Sequence, residues 1–534
     1  MPKLSNNQNG LSNGTLLVCM IINALGFAAK PMYLYSQFFN GMDTEVLLGK
    51  DFDISKLNDD SLGRLLDELY EYGVEKFYLE FVQYALQQMG YSPEYFHLDS
   101  TSFHLHGDEY NEGRERVSIT IGKGTETEKK PVSIVPGYSR DSHPELAQVM
   151  IQMIVENQAG IPLFMKPQDG NTNDSKGFAE SLDEVESLIS ALHDGTKSQY
   201  LVCDAALYTR QNLEDIYIRR ENRVKFITRA PSKITDVAAM VARATEEGFE
   251  PIRDQFSGGM YDFSYAGVPQ KILVVRSEQA VGWAEKSTDR RAEKELTALN
   301  SALKKLERKD FNCEPDARAE YAEIIKKYRY AVPAGEPKIT TKEHFSKRGR
   351  RSADAVPDKT VFHISGSAVL NTELIAQEKE ELDCFVIATN DTERNWTMEE
   401  LLDGYKSQQR VERGFRFLKD PEFFADSIFL KTPERIEALL MVMVTTLFVY
   451  SSTEHMLRKN LAEKKLTVRS QVGKQISNPT MRWILSVFYM QAIGRFFIDD
   501  ELFDCTDLTE DQATVVEALG RSWQEVYQSF IPHD

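Results

Sequence analysis

The period of the apolar residues changes near Tyr95, and this change constrains the fold more than any other feature of the sequence. Between residues 62 and 89, apolar side chains recur at steps of three and four, which is typical of amphipathic helices. Residues 97–105 alternate instead, which is typical of a strand with one face in a core. Residues 1–92 are therefore predicted to be helical and to precede a domain that begins with a sheet.

The order of the elements after this point predicts an α/β domain. The further strand candidates are residues 116–122, 131–135, 161–165, 200–203 and 224–228, and the helix candidates between them are 144–155 and 178–193. Strands come first and then alternate with helices, so we expect a mixed sheet that is flanked by helices.

Residues 231–390 interrupt this order. They contain strand candidates at residues 272–276, 359–364 and 384–389, together with a long charged helical run at 284–328. The leucines of that run predict a hairpin or a coiled-coil arm. We therefore expect short strands and a helical arm in this region, and mostly helical structure toward the end of the chain.

Two aspartates occupy strand positions at which a carboxylate without a partner is unfavourable. Asp99 lies within the first predicted strand, and Asp204 ends the apolar strand Tyr-Leu-Val-Cys. Hydrogen bonding of Asp99 to Ser100 or Thr101 would be a local explanation, as would capping of the next helix by Asp204. The other explanation is a bound cation, because carboxylates are the side chains that hold Mg²⁺ in proteins.

Residues 404–419 form a third candidate region. At helical spacing, one stripe contains Tyr405, Gln408, Glu412, Arg416 and Lys419. The positions beside that stripe, which predict a hydrophobic anchor, are Val411, Phe415 and Leu418, and the far side has Lys406, Arg410 and Arg413. Thr397 and Glu400 have the spacing of a capping box that opens this helical segment. An ordinary amphipathic helix with solvated charges is the alternative.

The polar stripe resembles the Tyr-Arg-Glu-Lys signature of DDE-type insertion-sequence transposases, which are cut-and-paste enzymes with a ribonuclease H-like catalytic domain. Tyr405, Glu412 and Lys419 stand at the matching positions. The Asp-Ser-Thr context of Asp99 and the Asp-Ala-Ala context of Asp204 resemble the other two motifs of the family. The resemblance implies that Asp99, Asp204 and Glu412 are the catalytic carboxylates and the ligands of Mg²⁺, with Mn²⁺ as a substitute.

The sequence departs from this signature at Gln408, where the family has Arg. A Gln side chain can hydrogen-bond a phosphate but brings no charge, so Arg410 or Arg416 is expected to supply the missing cation. The residues that the resemblance implies to contact DNA are Tyr405, Gln408, Arg410, Arg416 and Lys419. The basic segment 338–351 is expected either to contact a DNA backbone or to be a flexible loop.

The resemblance implies a fold of the α/β class. It consists of a ribonuclease H-like catalytic domain that is interrupted by a β-rich insertion, with helical regions at both ends of the chain. The implied order is a helical DNA-binding or dimerisation region (1–92), the first part of the catalytic domain (93–230), the insertion (231–390), the second part of the catalytic domain (391–455) and a helical C-terminal region (456–534). A helical subdomain that only packs is the alternative for the first region.

By the same resemblance, the expected function is DNA transposition. Such an enzyme binds the terminal inverted repeats of an insertion sequence, cuts with Mg²⁺ and joins the ends to target DNA. Its implied partner is double-stranded DNA, and a homodimer is expected because two ends must be handled together. Two alternative functions remain. One is a metal-dependent nuclease on the same fold, and the other is a degenerate transposase that only binds DNA. Gln408 is the sequence feature that favours the degenerate transposase.

The composition is compatible with this expectation, although the net charge of −19 is unusual for a protein that binds phosphates. Basic residues cluster at 210–229, 338–351 and 410–419, so local contacts remain available. The apolar runs at 16–29 and 439–450 fall short of the ~20 residues that span a bilayer and are predicted to be buried core helices. Five scattered cysteines and the lack of a convincing signal peptide predict a cytoplasmic protein without a membrane partner. The resemblance implies that it is a prokaryotic protein associated with the nucleoid.

Overall fold

The positions that can be described are spread over the whole chain. The computed structural model describes residues 11–26, 29–105, 130–137, 146–172, 186, 199–344, 359–376, 384–406, 414, 417–419, 430, 432–490, 495–498, 501–504 and 508–527. The predicted strand 116–122 lies outside these residues, and so does the predicted helix 178–193 apart from residue 186.

Helices and strands are numbered in chain order. The helices are α1 (Asn13–Leu25), α2 (Tyr35–Phe38), α3 (Thr44–Leu48), α4 (Asp59–Tyr72), α5 (Val74–Met89), α6 (Arg210–Glu214), α7 (Thr235–Glu247), α8 (Glu278–Glu307), α9 (Glu314–Ile325), α10 (Met398–Lys406), α11 (Pro433–Lys464), α12 (Met481–Met490), α13 (Glu510–Leu519) and α14 (Arg521–Tyr527). The strands are β1 (Tyr95–Leu105), β2 (Val135–Pro136), β3 (Ala147–Glu156), β4 (Pro162–Gln168), β5 (Tyr200–Cys203), β6 (Lys225–Ala230), β7 (Glu250–Arg253), β8 (Phe256–Tyr265), β9 (Val268–Ser277), β10 (Ala331–Pro333), β11 (Lys338–His344), β12 (Lys359–Ser365), β13 (Ala368–Leu370), β14 (Cys384–Thr389), β15 (Val468–Arg469), β16 (Gln475–Ile476), β17 (Arg495–Ile498) and β18 (Glu501–Asp504).

The N-terminal helices begin and end at residues suited to these positions. Asn58 caps α4 by accepting a hydrogen bond from the Ser61 N–H, and two acidic residues in the first turn offset the positive end of the helix dipole. Gly90 ends α5 with a φ of 58°, in the left-handed region that glycine favours. The predicted helical character of residues 62–89 is confirmed.

One mixed sheet of ten strands forms the centre of the molecule. Within it, five strands stand in the order β4-β3-β1-β5-β6. β3 is antiparallel to both β1 and β4, whereas β1, β5 and β6 are parallel. An antiparallel group followed by parallel strands is the arrangement expected of a ribonuclease H-like domain.

The prediction of a helix at residues 144–155 is wrong, because this segment contains the strand β3. All ten residues of β3 are buried, since the strand lies between β1 and β4 and is covered on both faces. A strand without a solvent face shows no alternation of polar and apolar residues. Its apolar run therefore cannot be distinguished from a buried helix by periodicity alone.

Four strands from the region predicted as an insertion extend this same sheet. β14 lies antiparallel against β6, and the order continues through β9 and β8 to β7. The strand candidates 272–276 and 384–389 are confirmed within β9 and β14. The sheet that carries Asp99 and Asp204 is therefore continuous with strands from the middle of the chain.

The remainder of that region forms a separate small core. The predicted run 284–328 is two helices, α8 and α9, which pair as a hairpin. Their contacts to β12 and β13 bury Leu299, Leu303 and Tyr321 together with Ile364. The hairpin alternative of the sequence analysis is thus the observed one.

The long helix α11 covers one face of the sheet together with the N-terminal helices. Arg435 of α11 binds Asp67 of α4 through two hydrogen bonds of 2.7 and 2.8 Å. Tyr78 of α5 donates 2.7 Å to the carbonyl of Pro162 in β4. α11 is long and apolar enough to cross a membrane, but 78% of its apolar window is buried inside the protein. The predicted core helix at 439–450 is therefore confirmed and is longer than predicted.

The C-terminal part of the chain packs around the end of α11. α12 and α13 contact it and bury Leu457, Ile484 and Val515. Thr509 and Gln512 form a capping box at the start of α13. This region also contains the short two-stranded sheets β15–β16 and β17–β18, in addition to the predicted helices.

Candidate active site

The register of the parallel strands brings the two predicted aspartates to neighbouring positions. In the pairing of β1 with β5, Tyr95 lies opposite Tyr200 and His97 lies opposite Val202. Continuing this register by two residues brings Asp99 opposite Asp204. Because neighbouring strands lie about 4.8 Å apart, two residues in register are close neighbours across the sheet.

Both carboxylates belong to the same face of the sheet. Side chains alternate along a strand, so Asp99 shares the face of Tyr95, and continuing the alternation one residue beyond β5 gives Asp204 the face of Tyr200. The rings of those two tyrosines stack with centroids 5.6 Å apart. Burial raises the pKa of the Cys203 thiol, and the charges of Asp204 and Asp99 raise it further.

Asp204 is exposed and leaves its strand at a tight turn. Its Oδ1 accepts a hydrogen bond of 2.9 Å from the Ala206 N–H. The Thr228 hydroxyl of β6 donates 2.7 Å to the backbone carbonyl of Asp204 and fixes the strand end. The following helix α6 is capped by Thr209, so the alternative that Asp204 caps it is wrong.

Asp99 lies within β1 and is half-buried. Its Oδ1 accepts a hydrogen bond of 2.8 Å from the Ser100 N–H, as the local explanation for this residue anticipated. A carboxylate has two oxygens and about four acceptor positions, so a hydrogen bond to Oδ1 is compatible with binding a cation.

Arg229 is a third charged residue beside Asp99 and Asp204, and these three residues are called the row. The sequence analysis included Arg229 only in the basic cluster 210–229 and did not identify it as a site residue. β6 pairs with β5 in a parallel register that places Cys203 opposite Thr228, so Asp204 is followed by Arg229 on the next strand. Arg229 is exposed, and its Cζ lies 5.9 Å from the centroid of the Phe385 ring. The sequence contained a signal for Arg229, because it follows the apolar run Phe-Ile-Thr as Asp204 follows Tyr-Leu-Val-Cys.

Helix α10 lies over this face of the sheet. A Cβ at Gly404 would come within 2.9 Å of the Ile227 Cδ1 and 3.2 Å of the Tyr95 Cε1, so the helix and the sheet approach closely at this residue. Leu401 and Leu402 of α10 are fully buried in the same core as the sheet residues on this face. The absence of a side chain at position 404 therefore permits the observed packing.

Tyr405 extends from α10 to the row of charged residues. Burial raises its pKa, the charge of Asp204 adds to the rise, and the charge of Arg229 opposes it. Its ring centroid lies 6.4 Å from that of Phe385. The hydroxyl therefore remains protonated at neutral pH and can donate a hydrogen bond.

A polar network holds the start of α10. The Tyr200 hydroxyl donates 2.7 Å to Asp391, and Arg394 donates 3.2 Å to the same hydroxyl. The Arg394 guanidinium also lies 4.1 Å from the centroid of the Trp396 ring. The predicted capping box is confirmed, since Thr397 and Glu400 exchange hydrogen bonds between side chain and backbone in both directions. The position of α10 is thus fixed from its first turn.

Four of the other predicted site residues, Gln408, Arg410, Glu412 and Arg416, lie outside the described residues. Lys419 is described and partly exposed, at the end of a short helical turn. Leu418 is buried, which confirms its predicted role in the anchor. Phe417 is also buried, although it was not predicted to be, and its ring lies 4.5 Å from that of Tyr450 in α11.

The carboxylate oxygens of Asp99 and Asp204 are donors that suit a hard divalent cation such as Mg²⁺. Within the described ranges, no group of three or more acidic, histidine or cysteine residues could hold a metal ion. Asp99 and Asp204 form a pair, and Glu412, the third predicted ligand, lies outside those ranges. Mg²⁺ is commonly held by one or two carboxylates plus substrate phosphates, so this pair fits such an ion.

Comparison with known proteins gives a family for most of the chain. Residues 92–449 match the family model described as a transposase DDE domain, and residues 2–83 match a domain of unknown function, DUF4277. No curated protein matches the chain. The cryo-EM structure of a piggyBac transposase synaptic complex with hairpin DNA is similar at 9% identity and a TM-score of 0.38, covering 100% of this chain and 79% of that chain.

Proposed function

Because the chain belongs to the family of DDE-domain transposases, we propose that it binds the terminal inverted repeats of an insertion sequence, cuts them with Mg²⁺ and joins them to target DNA. Members of this family are enzymes of DNA transposition that cleave and transesterify DNA with divalent metal ions. The observation that carries the proposal is the parallel pairing of β1 with β5, because its register, continued by two residues beyond His97 and Val202, brings Asp99 beside Asp204.

In the proposed reaction, Asp99, Asp204 and Glu412 would hold the divalent cations. Such cations activate a water or a 3′-hydroxyl and stabilise the leaving oxygen of the phosphodiester. The strand positions of the two aspartates, and the hydrogen bond from Thr228 to the Asp204 carbonyl, keep these ligands rigid. Rigid ligands matter because the reacting groups must be held in line.

Arg229 and Tyr405 are proposed to bind the phosphates of the DNA next to the carboxylates. A guanidinium can bind a phosphate through two hydrogen bonds, and a protonated tyrosine hydroxyl can donate a third. Arg229 would then supply the cation that Gln408 lacks, in addition to Arg410 or Arg416. Contacts of Gln408, Arg410, Arg416 and Lys419 with DNA remain predictions.

The quaternary structure and location are proposed on the same basis. A homodimer in the DNA complex follows from the need to join two ends in one reaction. The proposed location is the cytoplasm, in association with the nucleoid, because the substrate is chromosomal DNA. Binding of transposon ends or dimerisation by residues 1–92 remains a prediction.

The test is cleavage of a duplex that carries the element's own terminal repeats, in Mg²⁺ and in Mn²⁺. Asp204→Asn removes one charge and is expected to slow cleavage by at least about 100-fold, because the charge stabilises the reacting groups. Asp262→Asn is the matched control, since Asp262 is an exposed aspartate on β8 of the same sheet. Cleavage by Asp204→Asn at the unchanged rate would contradict the proposal.

Two further observations separate the rivals. Pre-cut ends mixed with a target plasmid give joined products only if the protein is a transposase, whereas a nuclease gives none. If the protein is a degenerate transposase, it should bind the duplex that carries the terminal repeats but should not cut it, whichever divalent metal ion is added. Chelation of the metal with EDTA should abolish cutting by the wild type and leave its binding to DNA measurable.

A further inference from the structure

β11 and β12 form a two-stranded ribbon that is separate from the ten-stranded sheet. Seven residue pairs connect the strands, from Lys338 opposite Ser365 to His344 opposite Lys359. At about 3.4 Å per residue, the paired part is about 20 Å long. β11 contains residues 338–344 of the basic segment 338–351. None of these residues belongs to the candidate active site.

Three lysines lie along one face of this ribbon. Lys338, Lys342 and His344 lie on the same face of β11 because even numbers of residues separate them. Lys359 of β12 lies opposite His344 and therefore belongs to this face as well. All three are exposed. Within the described part of the chain none of them makes an ion pair, and the acidic residue Glu343 belongs to the opposite face.

The opposite face attaches the ribbon to the helical hairpin. Ile339, Phe362 and Ile364 pack into the core formed by α8 and α9. The backbones of Phe311 and Phe362 are joined by hydrogen bonds of 2.9 and 3.0 Å. The ribbon is therefore held mainly by its apolar side. On the lysine face Val361 is also buried, and His363 contacts the Glu307 carbonyl and Asp310, whereas the three lysines are exposed.

We propose that the ribbon β11–β12 binds duplex DNA through this row of lysines, an inference that rests on the proposed function. The major groove of DNA is about 12 Å wide and admits a two-stranded ribbon. From Lys338 to Lys359 the row spans about 20 Å, over which a duplex presents a phosphate charge about every 1.7 Å of its axis. Lysines on phosphates position a protein without reading the sequence of the bases.

An acidic protein surface is the other partner that a row of lysines could attract. A second copy of this chain qualifies, because its net charge is −19. DNA is favoured because the family acts on DNA and because an acidic protein needs local cations to approach a polyanion. Loss of self-association without loss of DNA affinity is the outcome that would favour the second copy and overturn the proposal.

The experiment measures the affinity of the full chain for a 40-base-pair duplex without divalent metal, over a range of salt concentrations. The variant is Lys338→Gln with Lys342→Gln and Lys359→Gln. The slope of log affinity against log salt is expected to fall in magnitude by about 2–3, because each lost phosphate contact removes about 0.9. The same positions changed to Arg should retain the wild-type slope.

A matched control carries the same loss of charge elsewhere on the same small domain. Lys304, Lys305 and Lys327 are exposed on or next to α8 and α9, and their replacement by Gln should leave the slope unchanged. An equal fall in the control would overturn the proposal, since net charge alone would then explain the result. A ribbon variant that melts like the wild type and binds with the wild-type slope would overturn it as well.

The two proposals fail in different ways. If the wild type neither binds nor cuts the duplex that carries the element's ends, the proposed function is contradicted. If the wild type cuts that duplex and the ribbon variant keeps the full salt dependence, only the ribbon inference is lost.

Discussion

Arg229 illustrates how strand register, rather than sequence distance, assembles the candidate site. It lies 25 residues after Asp204 in the chain, yet the parallel pairing of β5 and β6 brings the two to neighbouring positions. A cation beside carboxylates reduces their mutual repulsion and offers a phosphate a second point of attachment. In the proposed reaction the row would therefore combine sites for metal ions and for the phosphate that reacts.

Replacing Arg229 by Gln should slow cleavage of the end duplex by about 10- to 100-fold, because a charged donor near the reacting phosphate is lost. Arg229→Lys should recover part of the rate, since Lys restores the charge but not the paired hydrogen bonds. The measurement is the rate constant of cleavage at saturating DNA.

Arg219→Gln serves as the control for this prediction. Arg219 is exposed and binds Asp215 at 2.9 Å, outside the row. We expect its replacement to leave the rate unchanged. An Arg229→Gln enzyme as fast as the wild type would show that the phosphate is bound by other residues.

The basic cluster at 210–229 shows why charge counting alone did not identify Arg229. Arg210 binds Glu214, and the buried Arg220 binds both Glu186 and Asp215. These arginines are neutralised within the protein, which the sequence could not reveal because their partners are set by folding. Within the described residues no ion pair is seen for Arg229 or Lys225, and Arg229 is the more exposed of the two. Contact of Arg229 with DNA therefore remains the proposal for this cluster.

At the scale of elements, the sequence predicted most of the helices and strands that surround the site. The strand β1 was recognised because polar residues interrupt its apolar ones, although most of the strand is buried. β3 was mistaken for a helix because burial on both faces removed that alternation. The junction of β14 with β6 could not be predicted, because it joins strands about 150 residues apart and no local pattern specifies such a pairing.

The contact between α10 and the sheet gives a prediction at this scale. Gly404→Ala should destabilise the protein by about 1–3 kcal/mol and displace α10, because its Cβ would overlap Ile227. Cleavage should fall with it, since Tyr405 and the residues that follow depend on α10. Urea unfolding and cleavage rates measure the two effects.

A second substitution tests whether that overlap is the cause. Ile227→Val removes the overlapping Cδ1 and alone costs about 0.5–1.5 kcal/mol. The double variant should be less destabilised than the sum of the single changes. Gly335→Ala is the control, because a Cβ there would meet no atom within 4 Å. Strict additivity of the two changes would mean that Gly404 is needed for another reason.

At the scale of the whole molecule, the N-terminal region and the transposase domain share one core. Leu62, Leu65 and Leu69 of α4 lie in the same buried cluster as Ile436 and Leu440 of α11. The region that matches a domain of unknown function is therefore built into the catalytic part of the protein. The packing of these helices is observed. Whether they also bind DNA or dimerise, or only pack, remains a prediction.

Removal of residues 1–90 should therefore abolish cooperative folding of the rest of the chain. Without α4 and α5, the apolar side of α11 would be exposed to water, and the protein should aggregate. Thermal unfolding followed by circular dichroism, together with gel filtration, checks this. A shortened protein that remains monomeric and melts cooperatively would contradict the shared core.

Tyr78→Phe provides the graded version of the same test. It removes only the hydrogen bond to the Pro162 carbonyl and retains the packing of α5, so we expect a loss of about 1–2 kcal/mol. If the variant still folds and loses this amount of unfolding free energy, the contact between α5 and β4 contributes to stability. The destabilisation of the truncated protein can then be attributed to the missing helices.

The neighbouring positions of β9 and β14 have a consequence for engineering. Residues 278–383 leave the sheet at the end of β9 and return at the start of β14, and these strands are partners, with Arg276 opposite Cys384. The segment therefore has the two adjacent ends of a hairpin loop and can be treated as a cassette. A tight turn, or a DNA-binding module taken from another protein, could be grafted between the same two strands while the strands that carry Asp99, Asp204 and Arg229 stay as they are.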